Sequence, residues 1–400
     1  MSKLIVEICT IDKIEAIPNA DKITLATVKG WACIIGKDTF KEGDVCIFVP
    51  PDAILPEKLI EEQKLEFLKG NGRVRTIKLR NTISQGLVLP LSVLKGHTVK
   101  VGDDVAKILG IKKYEPEVKS ISRPKETLTS LWIKLISKEI TLRRFVAKSV
   151  GIIYDRNFKP KKNSTPGFVK YTDIENIKNY NKVFIDGEFV IITEKVHGSN
   201  ARFGTLKPKQ SIFQEIFHIQ PKYRFAYGSH NVEKSCMVGD GFYGEDVWGT
   251  VAKKYNLANK IPNDYIVYGE VYGANKPGRP IQELTYGEDS VALAVFDVKY
   301  KDKYLNWDEF EKFCVERNLP IVPILYRGPF SEEVLKANTE GRTTFKAGHI
   351  REGCVVKPLI EVYDNTCGRK ILKSISTAYL LTKKKDTPEE FIDDNAEMPH

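Results

Sequence analysis

The segment Phe189-Val190-Ile191-Ile192-Thr193-Glu194-Lys195-Val196-His197-Gly198-Ser199-Asn200 carries the first side chain in this sequence placed to do covalent chemistry. A mostly apolar, β-branched run ends on Lys195, and a His-Gly-Ser-Asn turn follows at once. The run predicts a buried strand and Gly-Ser-Asn its turn. An unpaired ammonium is costly where a buried strand ends. Desolvation and neighbouring cations push a lysine held in such a place toward a usable amine nucleophile. The plainer reading is a side chain that snorkels from a strand end into water. On these twelve residues alone the plainer reading is favoured, because short motifs are permissive.

Four downstream clusters change that balance. Tyr268-Gly269-Glu270-Val271-Tyr272-Gly273 puts a carboxylate on a strand beside glycines that permit close ligand approach. Val295-Phe296-Asp297-Val298 sets an aromatic face beside an acid. Arg351-Glu352-Gly353-Cys354-Val355-Val356-Lys357 opens a strand on an acid and closes it on a base. Arg369-Lys370-Ile371-Leu372-Lys373 supplies further cations. Taken singly, each reads as the solvated rim of a strand. Their order, spacing and joint presence are the stronger signal.

These residues need elements to position them, and the chain divides accordingly. Residues 1–110 are dense in short β-type runs: Leu4–Ile8, Ile23–Val28, Ala32–Ile35, Val45–Val49, Val74–Leu79 and Gly86–Leu89. Turn signals separate them at Pro18–Asp21, Lys41–Asp44 and Gly70–Gly72. Five or six short strands in that length indicate an OB-type barrel. Arg73 and Arg75 would share one face of a strand and Lys78 and Arg80 the other, either tracking phosphates or protecting a sheet edge. Residues 111–165 form a basic linker. Within it Leu131–Val150 predicts an amphipathic helix, with Trp132, Leu135, Ile136, Val146 and Val150 opposite Lys134, Lys138, Arg144 and Lys148. From 166 to 385 strands and helices mix, with strands expected at Val183–Ile185, Glu188–Ile192, Ile266–Val271, Val291–Val298 and Gly353–Lys357, and a helix at Asp308–Arg317. Residues 386–400 are an acidic tail. The fold class expected is α+β: an OB-like β-barrel, then a domain of antiparallel sheets with flanking helices.

Composition sets the bounds. With 42% hydrophobic and 28% charged residues the chain has ordinary globular values. No apolar run approaches a membrane span, so no membrane partner is expected. The first strand-like segment follows Met1 directly, with no signal-peptide pattern. Seven scattered cysteines without a CxxC argue for a reducing compartment and against a disulfide framework or zinc site. The expectation is an intracellular protein, of cytoplasm or nucleus and not secreted. The net charge of +10 is uneven: residues 112–170 hold 15 Lys/Arg against 5 Asp/Glu. A basic block of this kind suits a polyanion, or a solvated linker. There is no GxGxxG and no Walker A loop, which excludes the common dinucleotide and P-loop signatures.

As a set, the clusters resemble the covalent nucleotidyltransferases, the polynucleotide ligases and mRNA capping enzymes. The shared order is a KxDG or KxHG nucleophile, motif Ia, a strand with Glu, an aromatic strand, EGxVxK and a closing lysine pair. The histidine in Lys195-Val196-His197-Gly198 points toward RNA ligases, since DNA ligases and capping enzymes carry Asp there. Ile17–Ile23, Ile83–Leu87 and Gly167–Asp173 are similar to the branch of ATP-dependent RNA ligases with an N-terminal OB domain. The resemblance covers about residues 1–380.

It implies an RNA ligase that seals 3′-OH and 5′-phosphate RNA ends, in single strands or a nicked duplex, through lysyl-AMP and RNA-adenylate. ATP and Mg2+ or Mn2+ would be its cofactors, and it would act as a monomer. Lys195, Glu270, Glu352, Lys357 and Lys373 would be catalytic. Glu194, Lys195, His197, Gly198, Asn200, Glu270, Phe296, Lys357 and Lys373 would bind ATP, with Phe296 stacking on adenine. Glu270 and Glu352 would hold the metal, and Ser229 and His230 the RNA. Two positions depart from the pattern. His230 stands where motif Ia usually has Arg, and Lys370 and Lys373 are three apart rather than two, which favours Lys373. The rival readings are a DNA ligase or guanylyltransferase with the same lysine chemistry, and a non-catalytic OB-fold RNA-binding protein.

Overall fold

The computed structural model describes residues 4–114, 165–207, 222–234 and 246–382, apart from the single positions 69, 81, 181 and 277, and isolated positions between 132 and 146. Most of the expected linker helix Leu131–Val150 lies outside these residues, and the acidic tail wholly outside.

The N-terminal region is an all-β unit with short helices at its margins, and matches the expected barrel. Its strands are β1 (Glu7–Thr10), β2 (Lys13–Ala16), β3 (Ile23–Val28), β4 (Trp31–Gly36), β5 (Val45–Val49), β6 (Ala53–Ile54), β7 (Thr76–Leu79), β8 (Thr82–Gln85), β9 (Leu87–Leu89) and β10 (Lys112–Lys113). They pair as β1-β5-β9, β2-β3-β4, β7-β8 and β10-β6, all antiparallel. The β3–β4 hairpin closes on Lys29 and Gly30, both at positive φ (51° and 75°), the backbone signature of a two-residue turn matched to strand twist. Alternation along these strands feeds two apolar clusters, one around Ile8, Ile47 and Val49 and one around Trp31, Cys33 and Phe48. Lys13–Ala16 was not expected as a strand. It is largely exposed on both faces and so lacks the apolar alternation that announces one.

The expected strand Val74–Leu79 forms as β7 (Thr76–Leu79), but of the four cations only Lys78 lies on it. Arg73 precedes β7 and pairs with Asp52 at 2.7 Å, its guanidinium lying 3.6 Å from the centre of the Tyr114 ring. Arg80 follows β7 at φ 47° and donates to the Asn19 carbonyl at 2.6 Å. The Gly70–Gly72 turn and the β7–β8 turn break the run before it can present four cations along one strand.

The C-terminal region holds two large antiparallel sheets and a small hairpin of β22 (Tyr363–Asp364) and β23 (Gly368–Arg369). The first runs β11 (Glu175–Asn176), β24 (Leu372–Ile375), β21 (Gly353–Pro358), β12 (Phe189–Glu194), β20 (Ile324–Pro329), with β11 and β24 parallel. The second runs β15 (Glu233–Lys234), β14 (Arg224–Ser229), β13 (Ser199–Leu206), β16 (Tyr265–Lys276), β18 (Val291–Tyr300), β19 (Lys303–Tyr304), with β17 (Arg279–Pro280) paired to β16. Helices Val247–Lys254 and Trp307–Glu316 cover the second sheet through Trp248, Val251, Trp307, Phe310 and Phe313. The latter begins with a capping box between Asn306 and Glu309. Val183–Ile185, expected as a strand, is irregular: Val183 and Phe184 are buried while Ile185 is exposed, and none of the three joins a sheet.

The two regions meet at a partly buried polar contact. Lys178, just after β11, donates to Gln85 Oε1 at 2.9 Å and sits 4.8 Å from the centre of the Trp31 ring. Among the described residues, no helix is long and apolar enough to cross a membrane.

Candidate active site

Register explains how residues far apart in sequence converge. On β12, Thr193 opposes Val355 and Glu194 opposes Cys354 of β21. The next step along brings Lys195 N–H onto the Gly353 carbonyl at 3.0 Å and its side chain onto Glu352. Lys195 Nζ lies 2.7 Å from Glu352 Oε1. Val355 in turn opposes Lys373 of β24. Gly353 adopts φ 145°, and a Cβ there would collide with the Ser374 carbonyl. Only glycine lets β21 run this close to β24 directly after Glu352.

The second sheet supplies the opposite wall. Asn200 on β13 opposes Glu270 on β16, which opposes Ala294 on β18. Gly198 is where the nucleophile turn presses on β16: a Cβ would strike the Val271 carbonyl and come 3.0 Å from Glu270 Cγ. Along β16 and β18 the register shifts, Tyr268 opposing Asp297 and Gly269 opposing Val295. Phe296 is thus the extra residue of a β-bulge, the device by which strands re-aim one side chain. It projects into the cleft and meets the Tyr171 ring at 4.8 Å.

The cleft encloses about 260 Å³ and is lined by Lys195, Asn200, Glu270, Phe296, Lys357 and Lys373, with apolar side chains between them. One wall is apolar and aromatic and the other cationic, an arrangement suited to a nucleotide with its base on Phe296. Glu352 sits beside it. Burial alone would raise the Glu352 carboxyl, but Lys195 and His197 hold it down at about 2. Glu270 is pushed the other way, to about 8, chiefly by burial, with Glu352 adding to the effect. Lys357 is buried, and burial lowers its pKa while Asp297, 3.4 Å away, opposes the shift. Lys373 is lowered by burial and by Lys195.

Several expected residues take other positions. Glu194 lines the cleft, and its carboxylate accepts hydrogen bonds from Thr343 and Thr344. His197 N–H donates to Tyr286 Oη at 2.7 Å, and its Nδ1 is 3.6 Å from Glu352 Oε2. Ser229 Oγ accepts from Val232 N–H and closes its own turn. His230 lines the cleft, 3.7 Å from Asp173. Lys370 is engaged elsewhere, donating to Glu188 at 2.7 Å over the Phe184 ring. Sequence reasoning missed Tyr286, Thr343 and Thr344, which carry no local signal, and it missed Glu361.

The donor set was weighed for a divalent cation. Glu352 Oε2 is buried without a hydrogen-bond partner among the described residues, and Glu270 faces the same space. No group of three or more His, Cys, Asp or Glu suited to hold a metal occurs among the described residues. Two carboxylates fit an ion that keeps several waters and takes its remaining ligands from phosphate, as Mg2+ does.

The lysine-centred cleft brings together a lysine amine, two carboxylates, further lysines and an aromatic ring. Residues 188–375 match the family model for RNA ligases, and residues 5–91 match an OB-fold domain model. The chain thus carries a segment that matches the RNA ligase family, preceded by an OB-fold domain. Among solved structures it is similar to Naegleria gruberi RNA ligase. A point mutant solved with ATP and Mn has a TM-score of 0.67 at 22% identity, covering 95% of this chain and 99% of that one. A mutant with AMP and Mn also scores 0.67 at 22% identity over 96% and 99%. The enzyme with PPi scores 0.66 at 22% identity over 96% and 99%. Comparison with curated protein sequences finds no significant match.

Proposed function

We propose that this ligase uses ATP and Mg2+ or Mn2+ to seal 3′-OH and 5′-phosphate RNA ends, in single strands or at a nick, as an intracellular monomer. The observation that carries the reading is the placement of Lys195 Nζ, Phe296, Lys357 and Lys373 around one cleft. The Naegleria gruberi enzyme solved with ATP and Mn, and with AMP and Mn, supports the choice of nucleotide and metal.

Lys195 Nζ attacks the α-phosphorus of ATP, forming an N–P bond as the bond to the β-phosphate oxygen breaks and pyrophosphate leaves. The amine loses its proton to solvent before the attack, which frees the lone pair that forms the N–P bond. An oxygen of the RNA 5′-phosphate then attacks the same phosphorus, the N–P bond breaks, and AMP is carried on the RNA end. The 3′-OH displaces AMP and leaves a phosphodiester. Phe296 fixes the base, and the bulge that aims it fixes the distance from base to nucleophile. Lys357 and Lys373 stabilise charge that grows on the phosphoryl oxygens. Glu270 and Glu352 would hold a divalent cation that neutralises the triphosphate. Ser229 and His230, the latter lining the cleft, are the RNA contacts.

The test is incubation with a 5′-labelled RNA 5′-phosphate end and a 3′-OH end, plus ATP and Mn2+ or Mg2+. Sealed RNA is expected, and a DNA substrate of the same sequence should be sealed more slowly. Equal sealing of DNA, or sealing with GTP in place of ATP, would overturn the assignment.

A further inference from the structure

Behind the cleft lies a buried ionic network for which the reaction as described has no use. Asp297 is fully buried. Its Oδ2 accepts from Arg369 Nη2 at 2.6 Å and from Tyr171 Oη at 2.7 Å, while Oδ1 accepts from Val298 N–H at 3.1 Å. Arg369 is itself buried and also pairs with Glu361, its Nε donating to Oε2 at 2.7 Å. A carboxylate oxygen has two lone-pair positions, and both on Oδ2 are taken. Lys357 Nζ, 3.4 Å from the same oxygen, is buried without a hydrogen-bond partner among the described residues. Asp297 and Glu361, 3.4 and 4.0 Å away, balance its charge without binding it. The Trp307 and Phe310 rings flank it at 5.1 and 5.4 Å. Its donors make no hydrogen bond among the described residues, and the Lys357 side chain lines the cleft.

We propose that Arg369 is a positioning residue that occupies Asp297 and so keeps Lys357 available for the nucleotide phosphate. Tyr171 completes the device. The hydroxyl that fills the second position on Asp297 belongs to the ring packed 4.8 Å from Phe296. One network thereby ties the base platform to the phosphate lysine. The inference rests on the nucleotidyl-transfer reading of the cleft.

Charge counting separates positioning from mere stability. The cluster holds two cations, Lys357 and Arg369, and two carboxylates, Asp297 and Glu361. Arg369→Met leaves one cation against two carboxylates and opens Oδ2, which Lys357 then takes as an ion pair. Either Asp297→Asn or Glu361→Gln, added to R369M, restores the balance of charge. Only the former releases Lys357.

The experiment measures single-turnover transfer of label from α-labelled ATP to the full-length protein, with thermal midpoints recorded for each variant. R369M is expected to slow transfer by about 100-fold, the order seen when one stabilising donor is lost, with little change in apparent ATP affinity. R369M/D297N should recover a large part of that rate. R369M/E361Q should recover thermal stability but not rate. An R369M rate equal to wild type, equal rescue of rate by E361Q, or no rescue by D297N would each overturn the proposal. Absence of label on the wild-type protein would instead overturn the nucleotidyl-transfer reading on which it rests.

Discussion

Lys195 Nζ and Glu352 Oε1 stand 2.7 Å apart, the amine half-buried and the carboxylate nearly covered. The nucleophile is therefore held by one of the two carboxylates that would bind the metal. Glu352→Gln removes this partner and frees the amine. If Glu352 only restrained Lys195, the variant would form lysyl-AMP at least as fast as wild type at pH 7. The account predicts about a 100-fold loss instead, the order expected when charge stabilisation of a phosphoryl transition state is removed. Single-turnover labelling with α-labelled ATP decides between the two.

Gly198→Ala puts a methyl into the Val271 carbonyl and against Glu270 Cγ. The turn must retreat, carrying His197 and Lys195 with it. Overpacking of this kind costs about 1–3 kcal/mol of stability. A displaced nucleophile should also lower lysyl-AMP formation by about 100-fold, as expected for an ångström of misplacement. A urea melt and the labelling rate measure the two effects. An alanine variant with both at wild-type levels would mean that the turn has slack.

Much of this was legible in the sequence, for identifiable reasons. Glu270, Lys357 and Lys373 sit within strands, and Lys195 and Glu352 directly beside strand ends, at positions whose type and order could be read directly; strand register brings them together. The aim of Phe296 was not legible as geometry, because it depends on a bulge between β16 and β18 that no local pattern announces. The Glu194 carboxylate turns to Thr343 and Thr344, about 150 residues away in sequence, a contact set by folding rather than by periodicity. Arg369 was visible as a cation, but its partner Asp297 lies 72 residues upstream. The four basic residues from Arg73 to Arg80 misled as a strand because turns on either side of β7 divert the chain.

His230 gives a pH signature. Burial lowers its imidazole below the ordinary value of 6.5, with Asp173 pulling the other way. The folded state therefore binds this proton less readily than the unfolded chain. By linkage, the stability from the neutral ring is complete above about pH 6.5 and is lost as pH falls through the folded value. His230→Gln has no such proton to take up. The Tm of wild type relative to H230Q should fall as pH drops from 7.5 to 5, and a constant difference would remove His230 from the titration.

Lys178→Met keeps the apolar stem at the contact between the two regions and removes the hydrogen bond to Gln85 and the contact with Trp31. The loss should be about 1–2 kcal/mol of unfolding free energy. If the barrel serves the RNA steps, sealing should fall by about tenfold, the factor for 1.4 kcal/mol, with lysyl-AMP formation little changed. Equal loss of both would make the contact purely structural.

The central claim is that Lys195 forms a covalent bond to AMP. The protein is incubated with ATP and Mn2+, denatured at alkaline pH, where a phosphoramidate survives and non-covalently held nucleotide is released, and peptides are mapped by mass spectrometry. The account predicts one AMP adduct, on the peptide carrying Lys195, absent from Lys195→Ala. An adduct at another residue, or one that persists in Lys195→Ala, would contradict it.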